Sequence, residues 1–177
     1  MLITELVKES LVNQVKSFIL PVTVLLIIPA GILWATGFRI GWGLGWPWDA
    51  VVVLAGSVLM GNGLYYLSMT ILLFINIGRG TLAPWSPTKK LVIIGPYRHV
   101  RNPMIASVII ILLGQSIAFG SAWIFVWFLL FFGTNHIYFV NFEEPGLEKR
   151  FGGEYLTYKK NVPRWIPRLR PWTGENK

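Results

Sequence analysis

Phe18 to Phe38 runs for 21 residues without a charged side chain, and Trp48 to Asn76 carries only Asp49, at its edge. At about 1.5 Å of rise per residue, either block is long enough as a helix to cross a hydrocarbon layer of about 30 Å. Two further apolar stretches, Pro103–Gly120 and Ser121–Phe142, meet at Gly120-Ser121, which leaves room only for a tight helical hairpin. Charged residues make up 14% of the chain, against about a quarter in a soluble domain, so the composition agrees with the blocks. The expected fold is an all-α integral membrane protein, a single domain over 1–177 with about four spans at 18–38, 48–76, 103–120 and 121–142.

The joining segments refine this. Residues 1–17 mix Leu2, Ile3, Leu6, Val7, Leu11, Val12 and Val15 with Glu5, Lys8, Glu9 and Lys16 at a helical period. They read as an amphipathic helix on the membrane surface and not as a cleaved signal. Pro21 and Pro29 fall in the first span, where a kink is expected. GFRIGWGLGWP, Gly37 to Pro47, is a glycine-rich turn with tryptophans suited to the membrane interface. In the second span Gly56, Gly61 and Gly63 offer places for another helix to approach closely.

Charge sets the orientation. Residues 1–76 hold three cations and three acids, whereas 77–177 hold thirteen cations and five acids, the whole of the net +8. Lysine and arginine beside spans mark the cytoplasmic side, so 77–102, the helical tail 143–177 and both termini are placed there. The same rule accounts for the high pI through anionic lipid and without a nucleic-acid partner. The absence of cysteine excludes disulfides, thiolate nucleophiles and thiolate-held metals. His99 and His136 lie 37 residues apart with no carboxylate pattern between them that would suit a metal.

Two polar clusters remain. GPYRHVRNPM, Gly95 to Met104, opens the third span, and Glu143-Glu144 follows the fourth at the head of FEEPGLEKRFGGEYLTYKKNVPRWIPR. If the two spans form a hairpin, both clusters emerge at one face. There they offer cations, carboxylates and the free amides of a helix that starts at Pro103. Such a set suits a zwitterion with a carboxylate and a separate positive centre, and the residues alone do not choose among zwitterions. Glutamates at this place can equally pair with Lys149, Arg150 or the loop arginines. His136, two turns before Glu143, is either a base on that face or a hydrogen-bonded histidine inside the bundle. Tyr155, Tyr158 and Trp165 with Lys159, Lys160, Arg164, Arg168 and Arg170 read as an interfacial anchor, a lid, or both.

In order and spacing, GPYRHVRNPM, Glu143-Glu144, FGGEYLTYKKNVP and PRWIPR resemble the membrane methyltransferases that include isoprenylcysteine carboxyl methyltransferases and phospholipid N-methyltransferases. The resemblance covers about Gly78 to Arg168. It implies S-adenosyl-L-methionine as cofactor and a lipid-like or prenylated acceptor reached from the bilayer. Carried over by position, it implies cofactor contacts from Lys90, Leu91, Val92, Tyr97, Asn102, Pro103, Met104, Ile105, Glu143 and Glu144. Gly78-Arg79-Gly80 stands where phospholipid-modifying relatives carry a Gly-x-Gly stretch. Arg101, Glu144 and His136 are the candidate catalytic residues, with Arg101 orienting the cofactor carboxylate or the acceptor. Relatives commonly carry His and Tyr where this chain has Asn102 and Ile105. The carboxyl methyltransferases carry an arginine where it has Phe139. The expected activity is methyl transfer to an isoprenylcysteine-type carboxylate or similar. The alternatives are a phospholipid amine as acceptor, or a non-catalytic membrane accessory protein with the same fold.

Overall fold

A computed structural model of the chain describes residues 19–78, 91 and 93–174. The amphipathic helix expected over 1–17 falls outside these, as do Arg79, Gly80, Lys90 and Val92. The described residues are helical with no strand: α1 Ile19–Thr36, α2 Trp48–Gly78, α3 Pro103–Ala118, α4 Ala122–Phe151 and α5 Gly153–Asn161. A short 3₁₀ turn, Gly95–Arg98, precedes α3. Three helices are long and apolar enough to cross a bilayer, namely α1, α2 over Trp48–Leu73, and α4. α3 is apolar but has only 16 residues. The expected boundary at 142–143 is also displaced, because α4 continues as helix through Glu143 and Glu144 to Phe151.

Two π turns interrupt this regularity, and each has a proline behind it. Thr23–Ile27 precedes Pro29, and Phe139–Glu143 precedes Pro145 at the same offset. Proline has no N–H for the carbonyl four residues back, and its ring crowds that carbonyl, so the preceding turn widens. In α1 the consequences are all accounted for. Ile28 N–H bonds Thr23 O and leaves the Val24 carbonyl open, while Pro29 leaves the Leu25 carbonyl open. Trp127 Nε1 of α4 donates to Val24 O at 3.2 Å, and Gln115 Nε2 of α3 donates to Leu25 O at 2.8 Å. Backbone groups left open in lipid must find such partners, so the proline and its two donors dock α1 onto the α3–α4 hairpin.

The closest helix pair is α2 with α3. A Cβ built on Gly56 would stand 2.6 Å from the Gly114 carbonyl, and one on Gly63 would stand 3.0 Å from the Ser107 carbonyl. The two backbones touch, which only glycine at those places permits. Gly61, expected to share this role, has nothing within 4 Å. Gly56 and Gly63 are seven residues apart, nearly two turns, so they share a face that Gly61 does not. Val24, Leu25, Leu67, Val108, Ile111 and Leu112 fill the core between these helices. At the opposite end from the hairpin turn, Tyr155, Tyr158, Val162 and Trp172 make a second, smaller core with Leu91 and Ile93 around it.

Candidate active site

The site begins with how Arg101 is held. Its N–H donates to Pro163 O at 2.9 Å, and the chain after α5 is laid along the loop by two more main-chain bonds, Arg168 N–H to His99 O and Trp172 N–H to Arg98 O, each 3.0 Å. His99 Nδ1 lies 2.7 Å from Arg168 O. A carbonyl can only accept, so this nitrogen carries the proton. The Tyr158 hydroxyl donates to Tyr97 O at 2.6 Å. Burial pushes the Tyr97 phenol up to about 12 and raises Tyr158 as well, so both rings are neutral props of the loop.

Against this unit stands Glu144, 2% exposed at the end of the π turn. Its Oε1 takes Arg101 Nη1 at 3.0 Å and Arg164 Nε at 2.5 Å, and its Oε2 takes Lys159 Nζ at 3.2 Å. Lys159 also reaches Glu148 at 2.6 Å. The Tyr155 hydroxyl accepts from Arg101 Nη1 at 3.3 Å. Burial first, and then the Glu144 charge, raise the Tyr155 phenol, which keeps its proton. Four segments therefore converge on one carboxylate: the loop before α3, the end of α4, α5 and the tail. The Arg101 side chain is 9% exposed, and its Nε is buried without a partner among the described residues. A buried guanidinium N–H left open is a place for a ligand's acceptor.

The amides at the head of α3 lie next in sequence to Arg101. Asn102, with φ −123°, precedes the helix, and its side chain makes no capping bond. Its carbonyl accepts from Ala106 N–H at 2.9 Å. Pro103 is buried at the first helical position, Ile105 is half-buried, and Met104 packs against the apolar core. Leu91 packs on the second core.

The two glutamates part company, because neighbours on a helix point about 100° apart. Glu143 is half-buried and carries no ion pair among the described residues. His136 is elsewhere again. Trp165 Nε1 donates to its Nδ1 at 3.0 Å, and the two rings sit with Phe132 and Phe139 in one aromatic cluster. The π turn between His136 and Glu143 adds about one residue to the turn and so rotates them off the common face that seven-residue spacing implies. With Nδ1 accepting, the neutral ring holds its proton on Nε2.

The convergence of Tyr155, Lys159 and Arg164 on Glu144 is not evident from the sequence pattern. Tyr155 and Tyr158 are buried at 2% and 3%, which removes them from the expected interfacial anchor. The spacing of Tyr155 and Lys159, one turn apart on α5, was the available signal. A groove of about 370 Å³ lies beyond the tail, lined by Arg98, Glu154, Thr157 and Trp172, and shares no residue with the cage around Glu144.

No curated protein and no solved structure matches the chain. A model of the phospholipid methyltransferase family matches residues 51–154, from the start of α2 to the start of α5. The match takes in Arg101 and Glu144 and stops one residue short of Tyr155. It covers more than half of a chain whose helices mark it as a membrane protein, and the chain belongs to the phospholipid methyltransferase family, whose members are membrane methyltransferases.

Proposed function

We propose that the chain transfers the methyl group of S-adenosylmethionine to an amine on a membrane phospholipid headgroup. The observation that carries this is the Arg101–Glu144 cage at the head of a helix too short for the bilayer. Sixteen residues of α3 rise about 24 Å, against a hydrocarbon thickness of about 30 Å. With the Gly120 turn at one membrane face, the cage at the other end lies close to the hydrocarbon boundary, just beneath the headgroup layer that carries the amines. By the distribution of cations, that face is the cytoplasmic one, with both termini on it.

The residues present fit the cofactor. Three cations surround one carboxylate, so the cage has positive charge to spare, and Arg101 Nε with the open amides at Met104 and Ile105 suits an α-carboxylate. S-adenosylmethionine, when bound, supplies a methyl group already activated on sulfur, so the protein's work is orientation and exclusion of water. Glu144 has its lone pairs engaged by three cations and serves as the anion that holds them in place. A protonated amine must lose a proton before it can accept a methyl group. Glu143, without an ion pair among the described residues, is the carboxylate we assign to take it. His136 is committed through Nδ1 to Trp165 and keeps its aromatic cluster in register.

An amine is favoured over the isoprenylcysteine carboxylate by Phe139. Its ring meets Trp165 edge-on at 5.6 Å, where a carboxylate-binding relative would need a cation. Aromatic faces attract ammonium groups and have nothing to offer a carboxylate. The test is calorimetric binding of S-adenosylmethionine and S-adenosylhomocysteine to protein in lipid nanodiscs. Labelled-methyl transfer to phosphatidylethanolamine and to a prenylcysteine is run in parallel. Binding lost in Arg101→Ala, with label appearing in the phospholipid, supports the proposal. Label in the prenylcysteine alone restores the carboxylate reading, and folded protein that binds neither compound is a non-catalytic relative.

A further inference from the structure

The described tail leaves two large apolar side chains almost bare. Ile166 is 80% exposed and Leu169 is 98% exposed, within a segment that also holds Pro163, Pro167 and Pro171. Trp165 beside them fixes the depth of this segment. Its ring lies 5.6 Å from Phe132 and 5.6 Å from Phe139, and its N–H bonds His136. Those residues precede Glu144 by five to twelve positions on one continuous helix. The indole therefore sits about 8 to 18 Å inward of the cage along α4, beside its apolar stretch. The chain leaves α5 at the polar end and dips back along the spanning helix before returning to pair with the loop at His99 and Arg98.

A non-helical strand at that depth must not strand its backbone. Pro163, Pro167 and Pro171 have no N–H and the Arg168 N–H is bonded to the loop, whereas the N–H groups of Arg164, Trp165, Ile166, Leu169 and Arg170 make no bond among the described residues. This backbone therefore lies at the interface, where glycerol ester carbonyls and water accept from it. The Pro163 carbonyl accepts from Arg101, and the Arg168 carbonyl from His99. The cations suit the same setting. Lys149, Arg150, Lys160 and Arg170 are exposed and make no ion pair among the described residues, as expected of side chains that meet lipid phosphates.

We infer that residues 163–171 form a wedge seated in the bilayer beside α4, with Ile166 among acyl chains, Leu169 at the glycerol level and Arg170 on anionic headgroups. Arg164 at the head of the wedge is a ligand of Glu144, so seating the wedge in lipid also holds one wall of the cage. The occupant of the exposed apolar surface is lipid.

The absence of cysteine makes the test clean. Ile166→Cys, Leu169→Cys and, as a water reference, Glu154→Cys are each given a nitroxide and reconstituted in vesicles of phosphatidylcholine mixed with anionic phosphatidylglycerol. Relaxation by oxygen, which concentrates in lipid, is compared with relaxation by a water-soluble nickel complex. Oxygen should dominate several-fold at 166, the two should be comparable at 169, and nickel should dominate at 154. Both tail side chains are exposed, so neither substitution removes packing. Nickel dominating at 166 overturns the inference. So does shielding from both reagents with spin–spin broadening that fades on dilution with unlabelled protein, which would put a second copy of the chain there. Depth is read without turnover, so this result stands apart from any finding on methyl transfer.

Discussion

Glu144→Gln isolates what the cage contributes, because it removes one charge and almost no volume. With Arg101 and Arg164 bound to the same oxygen at 3.0 and 2.5 Å, their guanidinium groups stand on the order of 5 Å apart. Like charges at that separation repel by about 3 kcal/mol at an effective dielectric near 20. Breaking a buried pair from one side costs about 3–5 kcal/mol in other proteins, which agrees. Lys159 adds little, since its side chain is 37% exposed and keeps Glu148. Such a contact is worth at most about 1 kcal/mol. The loss should be local, because the spanning helices touch the cage only at their ends. Hydrogen exchange in nanodiscs reads it directly at the amides of Arg101, Arg168 and Trp172, which bind tail to loop. A loss of about 3 kcal/mol speeds their exchange about 100-fold, while α2 and α3 amides facing one another stay protected. Adding Arg164→Met to Glu144→Gln removes the repulsion and should recover part of the protection, a coupling that separate additive effects cannot produce. An increase below about five-fold would mean that water screens the cage as it screens a surface cluster. Equal loss throughout α2 and α3 would mean that the cage is not a local unit. Either result refutes the reasoning.

Three further outcomes can be checked on thermal unfolding in detergent or nanodiscs. Gln115→Leu leaves the Leu25 carbonyl without its donor and should cost about 1–2 kcal/mol, with the α1 amides exchanging first. Gly114→Ala drives a methyl group to 2.7 Å from the Gly56 carbonyl and should cost about 1–3 kcal/mol, whereas Gly61→Ala meets nothing within 4 Å and should be neutral or slightly stabilising. Alkaline titration should weaken the loop–tail unit. Tyr97 ionises at 10.0 when unfolded and at about 12 when folded, so its contribution is full below pH 10 and is lost as pH rises to 12. That loss is at most about 2.7 kcal/mol, and Tyr97→Phe should flatten this part of the decline. A pH profile that does not differ between the two proteins would remove Tyr97 from the account.

What the sequence discloses here depends on the kind of contact. The helices follow from uncharged length, and the approach at Gly56 and Gly63 follows from helical period, which also disposes of Gly61. The meeting of Arg101 with Glu144 was legible because a hairpin brings the start of one helix beside the end of the next. The rest of the cage was not. Arg164 arrives through main-chain bonds between the tail and the loop, and main-chain bonds between irregular segments leave no pattern in side-chain type. Tyr155 and Tyr158 illustrate the same limit. A tyrosine has an apolar ring and a polar tip whether it faces lipid headgroups or a small core with a carbonyl at its edge. The π turn before Pro145 moved His136 off the face of Glu143, and a proline's effect on the preceding turn can be read in advance only as a disturbance.

Pro145 also explains why adjacent glutamates can have different work. On an unbroken α4, Glu143 would follow His136 by two turns and share its aromatic surroundings, where a charge has no partner. The wider turn rotates the pair, so that Glu144 enters the gap between Arg101 and Arg164 while Glu143, half-buried, makes no ion pair among the described residues. One carboxylate is then fixed by cations and the other is left without an ion pair, a division of roles that suits the amine methylation proposed above. Pro145→Ala should restore a regular turn and disturb the cage without touching any residue in it. Proton uptake and cofactor affinity should then fall together. A variant with cofactor affinity intact and amine methylation unchanged would show that the proline sets no phase between the two glutamates.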